Sequence, residues 1–346
     1  MENLQDRLLA PLPPILPGAD EKAWRIRRQE ILRQIVELEY GGMPPEPVSL
    51  RVEQLQHPMG EVLSMRVHIN ERFSFTLQLY KPVKRPQPGE KFPVILTGDG
   101  CYRNCNDRVI DAAAARGWAV AKFNRVEFAH DIPHSSRTGG IYELYPDSRF
   151  GAISAWAWGY SRAMDALEML ELVDTSRVAI TGHSRGGKTV LLAGAVDERF
   201  AWVHPNDSGC CGAGCFRYRT EPREGRRGNE QLRDIIKSYD FWFGPGLREY
   251  IDRDWELPFD QHFLKACVAP RKLIETSARE DTWANPVGSY LTHLAAREVY
   301  ELLGVPDNIA YRIREGGHAH TPEDFLALFA FMEDVHAIPE GFAANP

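Results

Sequence analysis

The residues best suited to chemistry are Gly182-His183-Ser184-Arg185-Gly186, which fit the pattern G-x-S-x-G. The preceding RVAIT reads as a strand ending at Thr181, and the following KTVLLAGAV reads as a helix. A strand, a sharp turn carrying serine and a helix form a nucleophile elbow. The glycines let the turn close, and the hydroxyl is lifted to the helix N-terminus, where free N–H groups favour negative charge. A serine hydroxyl needs a base to become a nucleophile. Folds built on this elbow supply the acid and then the histidine later in the chain. The segment IAYRIREGGHAHTPEDF offers His318 and His320, just before a helix opened by Thr321 and Pro322. Their H-x-H spacing would also suit a metal, but no third ligand cluster accompanies it, so no metal site is assigned. Two acids qualify: Asp207 after AWVHPN, and Asp281 after RKLIET. Either would orient the imidazole and stabilise its charged form.

These residues must be positioned by a sheet. SLRVEQLQ, EVLSMRVHI and RFSFTLQLY alternate as antiparallel strands do. From Phe92 the rhythm becomes strand, loop, helix: FPVILTG, WAVAKF, RVAIT, AWVHP, RKLIET and IAYRIR are continuous apolar strands. Helical patterns lie between them at 150–171, 185–196, 286–303 and 322–334. That alternation predicts a parallel sheet covered on both faces, with antiparallel leading strands. The expected fold class is α/β, a three-layer αβα sandwich of the α/β-hydrolase type. A helical extension over 1–45, with a Pro-rich start (Pro11, Pro13, Pro14, Pro17) and a helix from Asp20, precedes a single domain over 46–346. Two long segments, 124–149 and an insertion at about 208–260, fall where substrate loops lie in an open α/β sheet.

The chain has 346 residues, 43% of them hydrophobic and 26% charged, with a net charge of −7 and no long basic run, which argues against nucleic acid as a partner. No apolar run reaches the roughly 18 residues of a membrane span, so no membrane partner is expected. The start of the chain lacks the form of a secretory signal, which predicts a cytoplasmic protein, or a secreted one if a signal peptide has been removed. The six cysteines form no C-x-x-C pair, which excludes a zinc ribbon and suits reduced, buried thiols.

Taken together, the motifs resemble the glucuronoyl esterases, carbohydrate esterase family 15. The resemblance runs from about Phe92 to Phe331 and rests on GHSRGGK, DSGCCGAGCFR, LPFDQH, APR and His318-Ala319-His320. It implies Ser184 as nucleophile and His320, the second histidine of HAH, as base, with His318 as runner-up. Asp207, 23 residues after Ser184, matches the family's usual acid position and Asp281 an alternative one. Arg185 follows the nucleophile, so its N–H and guanidinium would both face the oxyanion, with a second donor expected from Gly98-Asp99-Gly100-Cys101. Lys188, Gln231 and Trp283 match residues that contact or pack on the sugar. The chain departs at His183 and Tyr239. Fungal members have a disulfide-forming Cys at the first position and a substrate-contacting Glu at the second.

The implied activity is hydrolysis of 4-O-methyl-glucuronoyl esters through an acyl-enzyme, with a uronic acid ester as partner and no cofactor. An acetyl or other acyl esterase on the same scaffold is the alternative. A catalytically dead carbohydrate-binding scaffold is a third reading, disfavoured because nucleophile, base and acid are all present.

Overall fold

The computed structural model describes residues 8–16, 20–57, 59–60, 62–82, 89–133, 137–220, 222, 228–335 and 337–346. Pro17 of the Pro-rich start and residues 221 and 223–227 of the long insertion lie outside this set.

The described residues form a ten-stranded sheet: β1 (Leu50–Leu55), β2 (Val62–Ile69), β3 (Phe73–Tyr80), β4 (Phe92–Thr97), β5 (Ala119–Lys122), β6 (Val173–His183), β7 (Trp202–Asn206), β8 (Lys272–Ala278), β9 (Ile309–Arg314) and β10 (Phe342–Ala343). Their order is β1-β2-β3-β5-β4-β6-β7-β8-β9-β10. The leading strands β1, β2 and β3 pair antiparallel, as their alternation predicts, and β3 joins β5 antiparallel. From β5 through β9 every neighbour is parallel, and β10 adds a short antiparallel edge.

The helices are α1 (Glu21–Leu38), α2 (Asp107–Ala115), α3 (Ala152–Glu168), α4 (Arg185–Val196), α5 (Leu232–Tyr239), α6 (His262–Val268), α7 (Pro286–Leu302) and α8 (Pro322–Met332). They cover both faces. In β4, Val94 and Leu96 belong to a core shared with α1, α3, α4, α6 and α7, whereas Ile95 belongs to a second core with α2 and α8. Successive side chains of a strand point to opposite faces, so this split is the three-layer arrangement read from the apolar strands. Helix α2 was not singled out by the pattern, although Asn106 caps it through its side chain. Asp20 caps α1 in the same way, accepting from Ala23 N at 2.6 Å. Buried Arg28 then ties α1 to the domain by donating to the carbonyls of Cys267 (3.0 Å) and Ala195 (2.9 Å). None of the helices is long and apolar enough to cross a membrane among the described residues.

The segment 124–149 contains two single 3-10 turns, Arg125–Glu127 and Gly140–Glu143. The insertion carries α5 and three further short turns. The consequence for function lies at the C-terminal strand ends. The loop after β4, the turn after β6 and the segments after β7, β8 and β9 all converge there, at the edge where open α/β sheets bind ligands.

Candidate active site

Ser184 stands at the junction of β6 and α4 with φ 57° and ψ −118°, a backbone conformation that non-glycine residues rarely adopt. Its N–H donates to Asn206 O at 2.9 Å. The turn leaves no room for side chains on its flanks. A Cβ on Gly182 would lie 2.4 Å from Gly186 O, and one on Gly186 would lie 2.3 Å from Oδ1 of Asp99. The strain is therefore held in place from both sides, and the serine remains half-buried at the surface.

Asp99 supports the elbow from the loop after β4. Its Oδ2 accepts His183 N at 2.8 Å, and its Oδ1 pairs with the guanidinium of fully buried Arg125. Arg125 also lies 3.7 Å from Asp131. Asp131 in turn grips Arg185 through both carboxylate oxygens, at 3.1 and 3.0 Å, and accepts Trp242 Nε1 at 3.0 Å. The Arg185 guanidinium lies 4.5 Å from the ring of Trp242 and 5.1 Å from that of Tyr239. Acid and base alternate along Asp99, Arg125, Asp131 and Arg185. Such a chain fixes a cation beside the nucleophile at low entropic cost.

The structure brings His318, rather than the expected His320, to a carboxylate. His318 Nδ1 lies 2.5 Å from Asp281 Oδ2, and its ring centre is 4.5 Å from that of His183, the residue preceding Ser184. Asp281 is held at the same time by its own turn, since its Oδ1 accepts Ala284 N at 3.3 Å. His318 is exposed, with 44% of its side chain accessible. His320 faces inward. Its ring stacks on Phe325 at 4.2 Å, and its Nε2 is buried with no hydrogen-bond partner among the described residues. Burial, followed by the neighbouring His204, His183 and Arg314, pushes its pKa well below the usual histidine range. That environment opposes the charged form a base must adopt. The preference for the second histidine is thus corrected by burial: two residues apart in a loop, the two rings face opposite environments.

Asp207 also reaches this place. One ligand atom each from Asp207, Asp281 and His318 lie within 4.8 Å of one another. Asp207 has φ 42°, its Oδ1 accepts Ala278 N at 2.8 Å, and its Oδ2 has no hydrogen-bond partner among the described residues. Burial, reinforced by the charge of Asp281, pushes its carboxyl well above the usual range.

The residues expected to meet substrate divide. Lys188 is buried rather than displayed. Its ammonium donates to Ser208 O and to Cys210 O, the latter at 2.6 Å, and lies 3.9 Å from Glu230. Gln231 is the N-cap residue of α5, with its N–H donating to Asp234 Oδ2 at 3.0 Å. Trp283 is 37% exposed beside the Asp281 turn, and its carbonyl accepts Glu230 N at 2.9 Å. Sequence reasoning missed Asp99, Arg125, Asp131 and Glu230. Asp99 lies inside the Gly98–Cys101 loop that the sequence marks as the source of an oxyanion donor.

A strained serine elbow on a mixed sheet of this order, with an aspartate–histidine pair at the neighbouring strand ends, defines an α/β-hydrolase. A family model described as "Glucuronyl esterase, fungi" matches residues 67–304. The 4-O-methyl-glucuronoyl methylesterase of Podospora anserina is 32% identical over 320 residues, covering 90% of this chain. This chain spans 63% of that relative's own length. The Schizophyllum commune enzyme of the same name is 33% identical, with 88% of this chain and 75% of that protein covered. Among solved structures, a carbohydrate esterase family 15 glucuronoyl esterase from Caldicellulosiruptor kristjansonii superposes with a TM-score of 0.79 at 32% identity, covering 96% of this chain and 92% of that one. The chain belongs to the glucuronoyl esterase family, carbohydrate esterase family 15.

Proposed function

We propose that this protein hydrolyses 4-O-methyl-glucuronoyl esters through an acyl-enzyme on Ser184. The observation that carries the reading is the 2.5 Å contact between His318 and Asp281 beside the strained elbow. In this reading Asp281 accepts the Nδ1–H of His318, leaving Nε2 as the basic atom. Nε2 takes the Ser184 proton as Oγ attacks the C6 carbonyl. The backbone N–H of Arg185, in the first turn of α4, has no intrahelical partner and serves the oxyanion.

In the loop after β4, Gly98 N donates to the Tyr160 hydroxyl (2.7 Å), Asp99 N to Thr97 Oγ1 (3.2 Å) and Gly100 N to Phe123 O (3.0 Å). The N–H of Cys101 is therefore the loop's candidate for the second donor. The Arg185 guanidinium adds positive charge from its clamp on Asp131. Protonated His318 then hands its proton to the departing alcohol. Water, deprotonated by the same nitrogen, releases the uronic acid and restores Ser184. The names of the fungal relatives support the substrate class.

The reading is tested by comparing turnover of benzyl glucuronate with that of p-nitrophenyl acetate, in the wild type and in Ser184→Ala. Preferential hydrolysis of the glucuronate, abolished in the variant, is expected. Efficient turnover of acetate alone would replace the uronate reading with a general acyl esterase.

A further inference from the structure

Arg314, the last residue of β9, spends its side chain on the loop that it introduces. The guanidinium is buried, and each of its three nitrogens has a partner. Nε donates to both carboxylate oxygens of Asp324, each at 3.1 Å. Nη1 donates to Glu315 O at 3.1 Å, and Nη2 to Ala319 O at 2.5 Å. Glu315 and Ala319 flank Gly316-Gly317-His318, so one planar group holds that segment at both ends. Asp324 in turn accepts Thr321 N at 2.7 Å and Thr321 Oγ1 at 3.1 Å, which caps α8. The backbone completes the frame. Arg279 N donates to Arg314 O at 2.9 Å and Glu280 N to Gly316 O at 3.0 Å, joining the turn that carries Asp281 to the loop that carries His318.

The segment needs such a hold. Gly316 has φ 98°, and a Cβ on Gly317 would meet nothing within 4 Å. Two successive glycines give the backbone before His318 wide freedom, and fixing it costs conformational entropy. His318 is itself exposed, so core packing does little to confine it. Ala319, by contrast, lies between the two histidines with its carbonyl pinned. A fixed peptide there sends His318 toward Asp281 and His320 toward Phe325. The same guanidinium lies 3.8 Å from Asp207 Oδ2, which has no hydrogen-bond partner among the described residues. It is thus the buried cation shared by Asp324 and Asp207.

We propose that Arg314 is the positioning residue of the base: by holding the carbonyls on either side of Gly316-Gly317-His318, it sets His318 Nδ1 against Asp281. This rests on the reading of His318 as the base of Ser184. A lysine keeps the charge but lacks the rigid fork of donors that reaches two carbonyls and a carboxylate at once.

The test measures kcat and KM for the wild type, Arg314→Lys, His318→Ala and the double variant, on whichever of the two esters the wild type turns over, with melting curves for all. The slow His318→Ala rates are read with enzyme in excess of ester. Arg314→Lys is expected to lower kcat about 10- to 100-fold with KM within about twofold, because a base displaced by about 1 Å loses that much. In the His318→Ala background the same change should cost less than about threefold, since a residue that acts through His318 has nothing left to position. An equal loss in both backgrounds, or a kcat within about twofold of wild type in Arg314→Lys, overturns the proposal. Where Arg314→Lys fails to fold, Asp324→Asn decides by the same comparison. It keeps the arginine and loosens its anchor, so a kcat loss of about 3- to 10-fold that vanishes without His318 is expected. Turnover that survives His318→Ala alone would instead sink the reading of His318 as base, and it shows without any change at Arg314.

Discussion

His318 Nδ1 stands 2.5 Å from Asp281 Oδ2, while His320, two residues further on, turns its ring against Phe325 in the core. The geometry separates two histidines of which the family resemblance favours the second. Replacing His318 by Ala should lower turnover about 10³- to 10⁵-fold with little effect on melting. Replacing His320 by Ala should do the reverse, leaving turnover within about tenfold and costing about 2–4 kcal/mol of stability through the cavity it opens. Steady-state kinetics paired with denaturant titration checks both.

The two aspartates at the same imidazole differ in their bonds. Asp281 touches the ring, whereas the Asp207 carboxyl is pushed well above the usual range by burial and spends one oxygen on Ala278 N. Asp281→Ala should therefore lose about 10²- to 10⁴-fold in kcat, and Asp207→Ala about tenfold. The double variant should fall below Asp281→Ala alone, since Asp207 is then no longer there to stand in. Equal losses for the two single variants would show that the roles are shared.

Asp131 grips Arg185 from a loop more than fifty residues upstream in the chain. Asp131→Asn should lower kcat about 10- to 100-fold while KM moves little, because a freed guanidinium samples other rotamers. The reading fails if Asp131→Asn leaves kcat intact while Arg185→Ala does not.

Glu39, buried at the end of α1 and held by Gln261 at 2.9 and 3.1 Å, has its carboxyl pushed up to about 7, chiefly by burial. The folded state thus binds this proton more tightly than the unfolded chain does. Its stabilising effect is present at low pH and is lost as pH rises through about 7. Glu39→Gln removes the penalty of ionisation, so the Tm difference between variant and wild type should grow in the variant's favour from pH 5 to pH 8.5. A difference independent of pH would contradict this.

Asp207, Asp281 and His318 together make a donor set that a divalent ion would accept. The serine mechanism requires no such ion. Activity should survive dialysis against EDTA, and added zinc should inhibit by taking His318 Nδ1 away from Asp281. Loss of activity on chelation, restored by metal, would contradict the proposed chemistry.

Much of this was legible in the chain. The apolar runs of β4 to β9 could only be buried strands, and the glycines around Ser184 left one sharp turn available. The site was less legible where choice depends on a partner distant in sequence. Nothing local to HAH says which imidazole meets a carboxylate. Asp131 lies in a long loop with no periodicity to mark it. Lys188 reads as a surface charge or a sugar contact, because the carbonyls of Ser208 and Cys210 that bury it become neighbours only after folding.

One substitution at the elbow reaches beyond catalysis. His183 replaces the cysteine of the fungal pattern, and its ring is bonded to Asn206 at 2.6 Å, while all six cysteines remain free thiols. The residue before the nucleophile is thus tied to β7 by a hydrogen bond between imidazole and amide. The nucleophile's posture owes nothing to an oxidising environment, and a reductant strong enough to open such a bridge has nothing here to act on.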